Sequence, residues 1–173
     1  MSFVKPLNLL WLSLNAANDV QREGLVLALE AAGTVIPCVA DGTPIGVAYM
    51  TTEDPLYNPS SINHSTQYAL GMEIAIIREG LANVPYHIVG AGQNVTIGML
   101  VGMLNANTSG YVTRHIATAL PGVWAAATVE GCLEEMDSVV GIALEAKTVG
   151  KSGVAGATNM LVLLQIANVD YAS

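Results

Sequence analysis

Three short blocks of sequence occur twice in this chain, and they occur in the same order. GLVLALEAAGTV at 24–35 corresponds to GMLVGMLNANTSGYV at 98–112, IGVAYM at 45–50 to VGIALE at 140–145, and EIAIIREGLANVPY at 73–86 to MLVLLQIANVDY at 160–171. A repeat of this kind predicts one supersecondary module that is built twice. None of the blocks carries a nucleophile, a metal-ligand set or a phosphate-binding loop. What repeats is therefore a scaffold, which favours a structural or binding protein.

The repeat also decides how an ambiguous segment is interpreted. Residues 20–32 contain Leu, Ala and Glu, which favour a helix, whereas the corresponding segment 95–104 contains Gly98 and Gly102, which favour a strand with a bulge. If the two halves are equivalent, both segments are strands. Short apolar runs separated by Gly-rich turns are typical of all-β proteins. The sequence therefore predicts a mainly β protein, a compact β-barrel or sandwich built from two pseudo-repeated β-modules with an extended N-terminal arm.

The repeat divides the chain into three parts. Residues 1–19 form the arm, residues 20–90 the first β-module and residues 91–173 the second, and the two modules are expected to pack closely as one domain. Two segments interrupt the repeat: the polar loop 51–71 and the insertion 114–139. Loops of about twenty residues in compact domains are usually functional or disordered. Both segments are therefore expected to contact a partner.

The chain has too little charge to cover the surface of a free monomer well. Of its 173 residues, 52% are hydrophobic and 12% are charged, against about 25% charged in an average soluble protein. A membrane-spanning helix needs about 20 apolar residues, but the longest apolar run here, around residues 7–14, is interrupted by Asn8. Pro6 and Asn8 also argue against a secretory signal in this segment. Burial against protein, in a homo-oligomer with an apolar interface, is therefore expected rather than a membrane.

The charge distribution disfavours nucleic acid as a partner. The formal net charge is −8, and the six Lys and Arg residues are scattered singly. Without a basic stripe there is nothing to neutralise a row of phosphates.

No motif in the chain predicts catalysis, a cofactor or a metal. Gly150-Lys151-Ser152 resembles the end of a phosphate-binding loop but lacks its first glycine, and a hairpin turn is favoured. The histidines His64, His87 and His115 have no ligand spacing, and no G-x-S-x-G motif occurs. Cys38 and Cys132 can pair, but two free thiols are favoured.

The candidate partner-binding residues are large apolar and aromatic side chains in the arm and in the two interrupting segments. Aromatic residues are typical interface anchors. The candidates are Phe3, Leu9, Leu10 and Trp11 in the arm, Tyr57 and Tyr68 in the loop, and Trp124 in the insertion.

The second half carries two longer stretches, AGQNVTIGMLVGMLNANTSGYV at 91–112 and VVGIALEAKTVGKSGVAGATNMLVLL at 139–164. Across roughly residues 91–166 the chain resembles the small decoration, or cement, proteins of tailed bacteriophages and archaeal viruses, and the first half resembles them more faintly. The resemblance implies a compact β-barrel that binds the outside of the capsid, often as a trimer or dimer, with no catalytic residues. The loop 51–71 and the insertion 114–139 depart from the family pattern, which leaves the oligomer and the docking site open.

These observations together predict a non-enzymatic virion protein. It would be made in the host cytoplasm and located on the outer capsid surface, where it would stabilise the head by binding neighbouring subunits of the major capsid protein. Two alternatives are another virion assembly subunit, such as a shell, tail or fibre-base component, and a small oligomeric β-fold hydrolase or binding protein.

Overall fold

The computed structural model describes residues 5–15, 24–30, 33–40, 42–49, 73–103, 108–116, 136–152 and 159–166, and of residues 5–15 it describes the backbone alone. The protein is mainly β, and its antiparallel sheet curls into a half-barrel. This confirms the predicted fold class.

The regular structure of the described residues consists of eleven strands, one turn of 3₁₀-helix and the two helical residues Met136 and Asp137. The strands are β1 (Lys5–Asn15), β2 (Val26–Leu29), β3 (Val35–Pro37), β4 (Gly46–Tyr49), β5 (Glu73–Val84), β6 (His87–Ile88), β7 (Leu100–Gly102), β8 (Thr113–Arg114), β9 (Val139–Ala143), β10 (Gly150–Lys151) and β11 (Met160–Gln165), and the 3₁₀ turn is Ala91–Gln93. The segment 26–29 is thus a strand, as the repeat predicted.

The strand order of the sheet reproduces the order of the repeated blocks. Eight strands follow the path β3-β2-β4-β5-β11-β9-β7-β8, β1 pairs with β5, and β6 and β10 form a separate ribbon. Each of β2, β3, β4 and the first half of β5 therefore has a counterpart in the second module, namely β7, β8, β9 and β11. The registers agree residue by residue: Val26 pairs with Val47 as Leu100 pairs with Ile142, and Leu27 pairs with Pro37 as Val101 pairs with Arg114.

The same backbone hydrogen bonds connect equivalent residues in the two modules. The N–H of Ala48 donates to the C=O of Leu25 at 2.9 Å, and the N–H of Ala143 donates to the C=O of Met99 at 2.9 Å. Each module also needs its turns at the same places. Two sequence blocks with different side chains therefore specify one backbone path.

Four glycines show why the turns are conserved between the modules. The backbone φ is 88° at Gly24 and 89° at Gly98, where the first repeated block begins, and 77° at Gly33 and 78° at Gly110, where it turns. Residues with a side chain rarely adopt a positive φ, whereas glycine does so readily. The equivalent glycines therefore set equivalent turns.

Strand β5 belongs to both modules, and Gly80 marks the change. Its residues Ala75, Ile76 and Ile77 pair with β4, and residues 79–84 pair with β11. Gly80 itself has a φ of 120°, and a glycine inside a strand often marks a bulge or bend. The strand thus passes from the first module to the second at this position.

In the first module, strand β1 has the position in the sheet that the second half of β5 has in the second module. Residues 9–12 of β1 pair with residues 74–77 of β5, and residues 81–84 of β5 pair with residues 160–163 of β11. Those two partner segments are themselves equivalent, because β4 and β9 pair with them in the same register. The repeat therefore includes the N-terminal strand.

The buried apolar residues of the described ranges form two clusters. The larger cluster joins both modules and includes Val26, Val47, Ile77, Ala82, Val84, Val101, Val140 and Val162. The smaller cluster lies on the other face of the first module and consists of Leu25, Leu27, Val35, Ala48, Ile74 and Ile76. Successive residues of one strand enter different clusters, because side chains alternate between the two faces of a sheet. Strands that are buried on both faces read as continuous apolar runs, which explains the low charge of these blocks.

Candidate functional site

The N-terminal strand is the part of the fold that most resembles a docking element. The backbone of β1 pairs with β5 from Lys5, opposite Leu81, to Asn15, opposite Glu73, with register shifts near both ends. Within the described part of the chain, β5 is the only strand paired with β1. One edge of an eleven-residue strand is therefore satisfied by the chain's own sheet. Unpaired N–H and C=O groups along the other edge of a strand are a template for a further strand.

Three of the predicted anchors lie in the described part of the chain and four lie outside it. Leu9, Leu10 and Trp11 lie in the middle of β1, opposite Ile77, Ile76 and Ala75 of the same chain. The remaining anchors lie outside the described residues; they are Phe3, Tyr57, Tyr68 and Trp124. Partner binding by all seven residues stays a prediction, and so does the three-part domain division.

A second candidate site lies where the two modules meet, at the ribbon of β6 and β10. His87 pairs with Lys151 in this ribbon, and Tyr86 forms a parallel bridge with Val112. The buried Ser152 is joined to Tyr86 by two hydrogen bonds. The N–H of Tyr86 donates to Ser152 Oγ at 2.8 Å, and the N–H of Ser152 donates to the C=O of Tyr86 at 2.9 Å. We refer to Tyr86, His87, Tyr111, Lys147 and Lys151 as the junction cluster.

Two lysines of the junction cluster lie over tyrosine rings. Lys147 Nζ is 5.6 Å from the ring centroid of Tyr86, and Lys151 Nζ is 5.1 Å from the ring centroid of Tyr111. Ammonium groups within about 6 Å of a ring centroid are attracted by the ring quadrupole. Lys147 also pairs with Glu145 at 3.1 Å. Two lysine–tyrosine pairs thus lie around the ribbon.

His87 lies opposite Lys151 in the ribbon of β6 and β10. Its Nδ1 is 3.0 Å from Thr108 Oγ1. Burial, followed by the charge of Lys151, lowers the pKa of His87 from its ordinary value of 6.5. The imidazole is therefore mainly neutral at pH 7.

Two described side chains with nucleophilic atoms, Cys38 and Ser152, are buried. Burial raises the pKa of the Cys38 thiol to about 12, so the thiolate that reacts as a nucleophile is scarce at neutral pH. Cys38 is a free thiol, as predicted for it, while Cys132 lies outside the described residues. The hydroxyl of Ser152 is fully buried against Tyr86. Among the described residues, no group of three His, Cys, Asp or Glu side chains is placed to hold a metal ion.

Sequence reasoning missed the junction cluster. Gly150-Lys151-Ser152 was expected to be a hairpin turn, and Gly150 and Lys151 instead form a short strand paired with β6. The one available signal was spacing: Lys147 and Lys151 are four residues apart, while all other neighbouring basic residues are at least seventeen apart. The tyrosines approach these lysines only through long-range pairing, which no local pattern contains.

Comparisons with known proteins assign this chain to no family. No protein-family model, no curated protein and no solved structure matches it. In the part of the chain that the structure describes, no helix has the length and apolarity needed to cross a membrane.

Proposed function

We propose that the protein is a structural virion protein that decorates the outside of a viral head and stabilises it by binding neighbouring subunits of the major capsid protein. In this proposal it acts as a homo-oligomer, it reaches the capsid surface from the host cytoplasm, and it carries out no catalysis. The observation that carries the proposal is the strand β1, an eleven-residue strand that pairs with a single strand of the described sheet.

The distribution of charge along the chain favours another protein as the binding partner. Residues 7–14 contain no charged residue, and the whole chain has only 12%. An apolar surface of this kind usually marks an interface. A decoration protein also uses avidity: each copy contributes a modest binding energy, and many copies on one shell multiply the effect. A β-scaffold with uncharged segments suits such a task better than it suits the binding of a small ligand.

The experiment compares viral particles with and without the protein. Particles that carry it are stripped, the purified protein is added back, and the temperature at which the shell releases its genome is measured. Full-length protein should restore the release temperature of untreated particles. Protein lacking residues 2–14 should restore less, because the strand that docks is absent.

The matched control is Gly90→Ala, since a Cβ at Gly90 meets no heavy atom within 4 Å. This variant should restore stability as the unchanged protein does. The proposal is rejected if stripped and restored particles release the genome at the same temperature. A protein of the tail or fibre base would bind at few copies per particle, which quantitative mass spectrometry of the particles detects.

A further inference from the structure

The ribbon of β6 and β10 is a short contact between two distant parts of the chain, and backbone hydrogen bonds hold it at both ends. At one end, Val95 and Lys147 exchange two backbone hydrogen bonds of 2.9 Å. At the other end, Ser152 and Tyr86 are joined by the two hydrogen bonds described above. The ribbon itself contributes two residue pairs. A change in the energy of one pair is therefore a large fraction of what closes this contact.

The pair next to Ser152 consists of His87 and Lys151. Directly opposite residues of an antiparallel pair project on the same face with Cβ atoms about 4.5–5.5 Å apart, and like charges in these positions are destabilising. A neutral His87 adds no charge beside the ammonium group of Lys151. A protonated His87 makes a like-charge pair. The lowered pKa of His87, caused by burial and then by Lys151, agrees with this arrangement.

The described groups around His87 do not offset a second positive charge. Its Nδ1 is 3.0 Å from the hydroxyl oxygen of Thr108, which is uncharged. Strand β8 packs against β6 and carries a further cation, Arg114. The carboxylate of Glu145 pairs with Lys147 at 3.1 Å. The charged groups of the described elements at this junction are therefore three cations and one carboxylate that is already paired.

We propose that the ribbon of β6 and β10 is an acid-sensitive latch, whose end at Ser152 opens when His87 takes up a proton. In the open state the imidazole has the ordinary histidine pKa of about 6.5, and in the closed state it binds the proton less readily. Acid therefore favours the open state. Opening loosens the contact between residues 86–95, which follow β5, and residues 147–152, which follow β9. The inference does not depend on a role in virions, and its failure leaves the proposed function open.

Amide hydrogen exchange of the full chain, followed by NMR at pH 7.5 and pH 5.5, tests the latch. Protection factors are compared, because they correct for the intrinsic pH dependence of exchange. The reporters are the N–H groups of Tyr86 and Ser152, which bond across the end of the ribbon. The references are the N–H groups of Ala143 and Leu144, which donate hydrogen bonds of 2.9 Å within the sheet. From pH 7.5 to pH 5.5 the protection of the reporters should fall about threefold to fivefold, the size of a like-charge cross-strand pair, while the references change little.

Three variants identify the groups responsible, each compared with itself at the two pH values. His87→Gln should abolish the fall in protection at Ser152. Lys151→Met should reduce it, since burial still opposes protonation of the imidazole. Lys147→Met is the matched control, because Lys147 lies over Tyr86 and not opposite His87, and it should retain the fall.

The unchanged protein decides the question even where a variant fails to fold. Equal protection of Ser152 at the two pH values overturns the inference. An equal fall at Ser152 and at the reference amides also overturns it, because the opening is then global and not confined to the ribbon. A fall that persists in His87→Gln shows that another group is titrating, and it rejects the latch as well.

Discussion

The sharpest prediction concerns two equivalent glycines, Gly46 on β4 and Gly141 on β9. A Cβ at Gly141 would lie 2.2 Å from the C=O oxygen of Leu163 and 2.9 Å from Val162 Cγ1. A Cβ at Gly46 would lie 2.1 Å from Ile76 Cγ2 and 2.8 Å from the C=O oxygen of Ile77. The neighbouring strand approaches each glycine too closely for a side chain. Alanine at either position must therefore push the paired strand away.

The cost of Gly141→Ala follows from this geometry. The obstructing atom belongs to the backbone of β11, so β9 and β11 must separate by about 1 Å, which weakens the hydrogen bonds between them. Overpacking of a dense core costs about 1–3 kcal/mol, and each weakened hydrogen bond adds up to about 1 kcal/mol. We expect a loss of about 3 kcal/mol, which lowers the melting temperature by about 6–12 °C for a chain of this size. Gly46→Ala should cost somewhat less, because its closest obstruction is a side-chain methyl group.

Thermal and urea unfolding, followed by circular dichroism at one protein concentration, measures the effect. Gly90→Ala is the control, because no heavy atom lies within 4 Å of its Cβ and its φ is −149°. It should change stability by less than about 1 kcal/mol, if anything upward, since alanine restricts the unfolded chain. If Gly141→Ala melts within 2 °C of the unchanged protein, the packing of β9 against β11 described above is wrong.

Three further predictions concern single side chains. Ser152→Ala should lower the free energy of unfolding by about 1–3 kcal/mol, because the N–H of Tyr86 loses its acceptor in a buried site; urea titration measures this. In a Cys132→Ser background, iodoacetamide at pH 8 should modify Cys38 only after urea unfolds the chain, since the pKa of its buried thiol is about 12; rapid labelling of the native protein would contradict this. The lowered pKa of His87 means that the unfolded chain binds its proton more readily. Stability should therefore fall as the pH drops below about 6.5, and His87→Gln should reduce that fall in urea titrations at pH 7.5 and 5.5.

The internal repeat is visible in the sequence by itself. Through the repeat, the sequence also predicted that the ambiguous segment 20–32 contains a strand and not a helix. Residues 26–29 have local preferences that do not exclude a helix, and the strand was predicted from their glycine-containing counterpart, Leu100–Gly102. They form a strand because they pair with β3 and β4. The turns at Gly24, Gly33, Gly98 and Gly110 can be predicted from the sequence alone, because glycine is the residue that readily adopts a positive φ.

Only the tertiary structure decided how the modules connect. The passage of β5 from one module to the other at Gly80, and the equivalence of β1 with the second half of β5, depend on pairings between residues that are far apart in the chain. The junction cluster is of the same kind, since it places Lys147 over the ring of Tyr86, sixty-one residues earlier in the chain. Local patterns record which face of a strand is apolar. They do not record which distant strand lies beside it, because that choice is made by the packing of the whole sheet.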